Sequence, residues 1–350
     1  MKHAFVSPWG QILHHHHTQI TKLMNGSFLS YSQLRHGFAD SVNLKMKLSK
    51  CETITLVTSL VNDYREHTDA SFIGYDLSQM EEPRPKVIII ELNGLAHYSY
   101  AQIENKLPAK ALENFAKSLA CADLVIAQSE SSMAGFKALV PEANVQLFGF
   151  IPEPTALYDY CTDYPEFRLG SNLISVGIGA KGGLGRGGLP DVFAASLMRE
   201  YLDDGKEVVL VPLIADLKVP AYDVLADGLN MQIVPSQMQS YSDFLKRLSS
   251  LDVVINMDSL DGASRLASEC ARVKTPCIGM RHSMYQKKYF KELSFDAVNL
   301  DNIARLAAEL VTEGKEHKLV KRAYKRAIAH DRDAHIKEWK TLMGSIGVEI

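Results

Sequence analysis

Segment 258–279 places the tightest limits on how this chain can fold. It follows an apolar run, Val253-Val-Ile255, and passes through a small-residue loop holding Asp261, Gly262, Ala263 and Ser264. It continues with an amphipathic helical period and reaches Thr275-Pro276 before a second short apolar run. Apolar run, loop, helical period and apolar run make a βαβ unit, and such units build parallel sheets covered by helices. Asp261 and Glu269 stand eight positions apart, with the helix expected to begin between them at about Ser264. A helix N-terminus offers unbonded N–H groups and the positive end of the helix dipole, both of which favour a phosphate. An acid in the loop and another in the helix suit a nucleoside diphosphate whose sugar hydroxyls are held by carboxylates.

A second loop in the same half of the chain fits that ligand. The β-strand pattern at 171–177 runs into six glycines, Gly179, Gly182, Gly183, Gly185, Gly187 and Gly188, among which Lys181 and Arg186 are the only charges. A glycine-rich loop between a strand and a helix (191–202) can cradle phosphate, with the two cations neutralising it; the same composition also suits a flexible loop with two solvated charges. No Gly-Lys-Ser/Thr follows, which excludes a Walker A loop. Gly177, Gly179 and Gly182 spell GxGxxG, but the expected helix begins well after the third glycine, so the context of a dinucleotide fingerprint is missing.

Upstream, strands and helices alternate. The run 53–60 and the more central Lys86-Val-Ile-Ile-Ile-Glu-Leu92 read as strands, 112–120 as a helix, 122–127 as a strand and 131–139 as a helix. The loop after the first strand (3–6) contains Gly10, which allows close backbone approach to a ligand or simply makes a turn. His97 follows the 86–92 strand, and polar groups at the carboxyl end of a parallel strand point into the ligand crevice of an open α/β sheet; a structural histidine is the other reading. The four histidines 14–17 cannot share one helical face. They read as an exposed or crevice-edge polar segment, with acceptor binding and adventitious metal as the alternatives.

The turn-rich stretch 152–164 reads as a linker, and two domains are expected, because 350 residues exceed the ~250–300 that one core usually carries. In the second half 207–211, 231–235 and 251–255 read as strands, and 221–228 and 241–248 as helices. Asp301 or Asn302 is expected to cap a helix over 303–312, and the tail from 313 is helical. Its basic residues, like Lys287, Lys288 and Lys291, read as a solvated face, because Glu316, Asp331, Asp333 and Glu338 are interspersed. Formal net charge is −3, so no chain-wide basic field announces nucleic acid or anionic lipid. Five scattered cysteines without CxxC argue for free thiols in a reducing, cytoplasmic setting and against a zinc site. Without an n-region, h-region or long apolar run, membrane contact is expected to be peripheral.

Three segments together resemble the group-1 (retaining, GT-B fold) glycosyltransferases. Ala122-Asp-Leu-Val-Ile-Ala-Gln-Ser-Glu130 with Gly149-Phe-Ile-Pro152 is similar to the close of that family's first domain. Ser175-Val-Gly177 through Lys181 and Arg186 resembles its diphosphate-gripping loop, and Asp261 to Glu269 with Thr275-Pro276 resembles its acid-x7-acid motif and the turn after it. Asp261 replaces the usual glutamate, Ala263-Ser264-Arg265 replaces Phe-Gly-Leu, and Lys274 stands where glycine is usual.

The resemblance implies an α/β chain of two Rossmann-like domains facing across a cleft. Residues 1–160 would form the acceptor domain, joined by a C-terminal helix (330–350) crossing back, and 161–329 the nucleotide-sugar domain. Glu269 would take the ribose hydroxyls, Asp261 and His97 the transferred sugar, and Lys181 and Arg186 the leaving diphosphate. Backbone at Gly10, Gly179, Gly262, Ala263 and Ser264 would line the donor. The donor would be UDP- or GDP-linked, with no further cofactor or metal. The acceptor stays open among a glycan, a lipid-linked glycan and a modified DNA base, as does the oligomeric state. A sugar-nucleotide 2-epimerase on the same fold, or a non-catalytic binding module, are the other readings.

Overall fold

Valine- and isoleucine-rich runs form the strands of two separate sheets. The computed structural model describes residues 2–7, 15–30, 46, 48–58, 75, 77–81, 83–91, 110–162, 169–179, 188–203, 205–213, 220–234, 240–258 and 262–350. Tertiary contacts divide the chain into unit 1, comprising Met1–Pro152, Leu260–Ala263 and Arg332–Ile350, and unit 2, comprising Glu153–Ser259 and Ser264–Asp331.

The sheet of unit 1 holds β1 (His3–Ser7), β2 (Ser27–Ser30), β3 (Thr53–Thr58), β4 (Lys86–Glu91), β5 (Leu124–Ala127) and β6 (Val145–Leu147). They pair in the order β2-β1-β3-β4-β5-β6, all parallel. β4 explains its own sequence. Ile88 and Ile90 enter one core cluster and Val87 enters another with Ile54 and Leu56, so both faces are buried and the run is apolar without alternation. The helices described are α1 (His15–Leu23), α2 (Lys110–Cys121), α3 (Glu130–Leu139) and, from the end of the chain, α12 (Arg332–Ser345). Ser129 caps α3 by accepting from the Ser132 N–H at 3.0 Å. Trp339 of α12 is fully buried against Phe148, with ring centroids 5.2 Å apart.

Unit 2 carries β7 (Leu173–Ile178), β8 (Glu207–Pro212), β9 (Gln232–Ile233), β10 (Val253–Asn256), β11 (Cys277–Met280) and β12 (Ser294–Phe295). The order is β12-β11-β10-β7-β8-β9, again parallel throughout. From β7 the chain winds outward through β8 and β9, then returns to β10 on β7's other side and winds the opposite way. The pair β7/β10 is therefore a topological switch point, and ligands of open α/β sheets bind outside the carboxyl ends of the strands there. The helices are α4 (Thr155–Cys161), α5 (Gly188–Leu197), α6 (Pro220–Gly228), α7 (Tyr241–Ser250), α8 (Arg265–Arg272), α9 (Met284–Tyr289), α10 (Leu300–Glu313) and α11 (Lys318–Ala329).

Several expectations are corrected. The supposed linker 152–164 contains α4, because Pro152 and Pro154 precede the helix rather than interrupt it. Pro154 sits at the N-cap position, and Tyr158 and Cys161, three apart on one face, are buried. α10 begins a turn before the expected start and is capped by Asn299, whose side chain accepts from the Asn302 N–H at 3.1 Å, rather than by Asp301 or Asn302. The helix placed at 191–202 starts at Gly188 and tightens into a 3-10 turn at Met198–Glu200. Among the described residues no helix is long and apolar enough to cross a membrane.

Candidate functional site

At the switch point, Gly177 near the end of β7 and Gly179 just after it stand where close packing demands glycine. A Cβ on Gly177 would lie 2.6 Å from Leu251 Cδ1 and 3.0 Å from Val254 Cγ2. Gly179 donates its N–H to the Ile255 carbonyl at 3.0 Å, extending the ladder with β10 by one residue. A Cβ there would meet Leu266 Cδ2 at 2.5 Å and Asn256 Oδ1 at 2.7 Å, so the root of the glycine-rich loop is pressed against the start of α8. Asn256, the last residue of β10, donates from Nδ2 to Ser264 Oγ at 3.4 Å. Asp191 of α5, fully buried, accepts from the Met257 N–H at 2.8 Å and fixes the exit of β10.

Ser264 occupies the N-cap position of α8 in the left-handed region, with φ 50° and ψ 65°, and makes no side-chain cap. A left-handed non-glycine residue costs about 1–2 kcal/mol. The first N–H groups of α8 therefore carry no cap from the Ser264 hydroxyl. Ala263 is buried, and Gly262 is partly exposed.

Glu269 lies one turn into α8, and it is 0% exposed. A hydrogen bond and an ion pair meet at the same carboxylate oxygen. The Tyr241 hydroxyl of α7 donates to Oε1 at 2.8 Å, and Arg265 Nε lies 3.2 Å from it across one helical turn. An ionised carboxylate survives such burial only when paired and hydrogen-bonded. Burial, then the charge of Glu269, pushes the Tyr241 phenol well up, so it remains a protonated donor. The Tyr158 phenol of α4 is raised for the same reasons in the same order. Arg272, buried at the far end of α8, has its guanidinium carbon 5.5 Å from the centre of the Tyr158 ring and donates from Nη2 to the His330 carbonyl at 2.9 Å.

The structure thus brings together Gly179, Ser264 and Glu269 of the sequence-named set. Gly10, His97, Lys181, Arg186 and Asp261 lie outside the described residues, as does His14 of the histidine run. Sequence reading missed Tyr241, Arg265 and Asp191. Arg265 carried a usable signal, standing four positions before Glu269. Tyr241 and Asp191 carried none, because 28 and 66 positions separate them from their partners.

No protein-family model matches the sequence, and no curated protein matches it either. Solved structures do match along the whole chain. A sucrose-phosphate synthase from Thermosynechococcus elongatus superposes with a TM-score of 0.73 at 13% identity, covering 99% of this chain and 99% of its own. HepE of Anabaena, solved with UDP and glucose, gives 0.69 at 12% identity with 99% and 100% covered. The trehalose-6-phosphate synthase OtsA gives 0.67 at 10% identity with both chains fully covered. At such identities the likeness establishes the fold, the GT-B arrangement of two parallel α/β sheets.

Proposed function

We propose that this chain is a glycosyltransferase that moves a sugar from a nucleoside diphosphate to an acceptor hydroxyl with retention at the anomeric carbon. One observation carries the reading. At the switch point of the second sheet the root of a glycine-rich loop, an N-terminal turn without a serine cap and a buried carboxylate converge within α8 and its approach. A diphosphate fits the N–H groups at the start of α8, and the ribose hydroxyls reach Glu269. Lys181 and Arg186, from the same loop, stabilise the electron pair that departs on the diphosphate when the anomeric C–O bond breaks. Asp261 and His97 hold the transferred sugar, and Gly10 lets backbone approach it. This chemistry draws on positioning and leaving-group stabilisation, and it needs no strong base. UDP is the first donor to try, because HepE was solved with it. The acceptor class stays open among glycans, lipid-linked glycans and modified DNA bases.

Calorimetric titration of UDP and GDP into the wild type, Glu269→Ala and Arg186→Ala tests this. Each substitution should weaken the preferred nucleotide about tenfold or more, the worth of one charge-assisted contact. Unchanged affinity in both variants would remove the site from this loop and helix.

A further inference from the structure

Arg265 is in an unusual place for a helix. It is the first residue of α8, where the dipole disfavours a cation. It precedes its acidic partner by four residues, the weaker order for a helical ion pair. Nor is it buried with that partner, for its side chain is 32% exposed against 1% for Glu269. These partners of Glu269 Oε1 therefore differ. Tyr241 comes from a neighbouring helix and is neutral. Arg265 is charged, sits on a flexible stem at the edge of the site, and rises from the same helix terminus on which a phosphate would rest. A cation unfavourably placed in the empty protein becomes favourably placed once a phosphate sits at that terminus.

We propose that Arg265 is a further ligand of the diphosphate, held on Glu269 until the nucleotide arrives. Its guanidinium leaves the carboxylate for the phosphate, and the ribose hydroxyls take its place beside Tyr241. The exchange keeps Glu269 paired in both states, since a buried carboxylate is never left alone, and the helix terminus gains a cation only when an anion is there to meet it. Nucleoside and diphosphate recognition are thereby coupled through one side chain. The inference rests on the reading of Glu269 as the ribose acceptor.

The test separates the two. Uridine, UDP and 2′-deoxy-UDP, with the guanosine series in parallel, are titrated into the wild type, Arg265→Met and Glu269→Gln. Arg265→Met keeps the apolar stem and removes the charge. Without its competitor, Glu269 should bind uridine or guanosine about threefold or more tighter, while the gain in affinity from nucleoside to diphosphate should shrink about tenfold. Those opposite movements support the exchange. A uniform loss across all ligands, as a purely structural role would give, overturns it, and so does an unchanged gain from the diphosphate. The site reading fails separately, if the wild type does not distinguish UDP from 2′-deoxy-UDP or if Glu269→Gln leaves that distinction intact. Absence of binding in both series overturns the reading and the inference together.

Discussion

Lys274 adopts φ 59°, a left-handed conformation, in the turn between α8 and β11 where the resembled family has glycine. What offsets the strain is visible, for its Nζ lies 4.7 Å from the centre of the Tyr324 ring. Left-handed strain of about 1–2 kcal/mol stands against a cation–π contact of about 0.5–1 kcal/mol. Lys274→Gly should therefore unfold at a urea midpoint equal to or above the wild type, while Lys274→Ala, which keeps the strain and loses the contact, should fall below both. His330 offers a second residue-level test. Burial, reinforced by Lys288 and Arg272, holds its pKa down to about 4 against an ordinary 6.5. The unfolded chain then binds the proton more readily than the folded one. The stabilisation is complete above pH 6.5 and is lost as pH falls through that value toward 4. By pH 5 the loss should reach about 1–2 kcal/mol, and His330→Gln should flatten that part of the stability profile measured by thermal melts. The departure at Lys274 was legible as a residue out of pattern. The environment of His330 was not, because Lys288 and Arg272 are distant in sequence.

Among elements, the βαβ unit β10–α8–β11 was legible because a continuous β-branched run, a helical period and a proline-marked turn each leave a strong local pattern. α4 was hidden because prolines at 152 and 154 mark a break, while the two buried residues that hold the helix, Tyr158 and Cys161, are too few to set a period. Partners across elements were illegible for a physical reason: Tyr241 meets Glu269 only after α7 and α8 have packed beside their strands. Contact between the glycine-rich loop and α8 now has a sharp consequence. Gly179→Ala inserts a Cβ within 2.9 Å of both Leu266 and Asn256 side chains, so α8 or the end of β10 must yield. We expect destabilisation of about 1–3 kcal/mol, the usual cost of overpacking. Nucleotide affinity should fall further than Asn256→Ala makes it fall, because only the glycine variant displaces the loop root. Equal stability and equal UDP affinity would show that α8 has room to move.

For the whole molecule, chain order and spatial grouping part company at Asp331. Residues 153–331 build unit 2 apart from the short 260–263 segment, and the last helix joins the unit made by the start of the chain. The core of unit 1 explains the grouping. Trp339, Met343 and Val348 are buried with Phe5, Ile88, Ile90, Ile126 and Phe148, so these β-strands lack one covering layer until the C-terminus is in place. Burying a tryptophan this completely contributes more than any surface pair nearby, and truncating it to alanine typically costs about 3–5 kcal/mol. Trp339→Ala should therefore raise amide hydrogen exchange in β4 and β5, which lie far from it in sequence. Tryptophan fluorescence gives an independent view, since one of the chain's two tryptophans, Trp339, lies in this cluster. Unfolding followed by fluorescence should shift to lower urea in Met343→Ala, which keeps the reporter but opens a cavity in the same cluster and loses about 2–5 kcal/mol of stability. A midpoint unmoved by Met343→Ala, or exchange in β4 and β5 unmoved by Trp339→Ala, would mean that α12 is not part of the core that stabilises the first sheet.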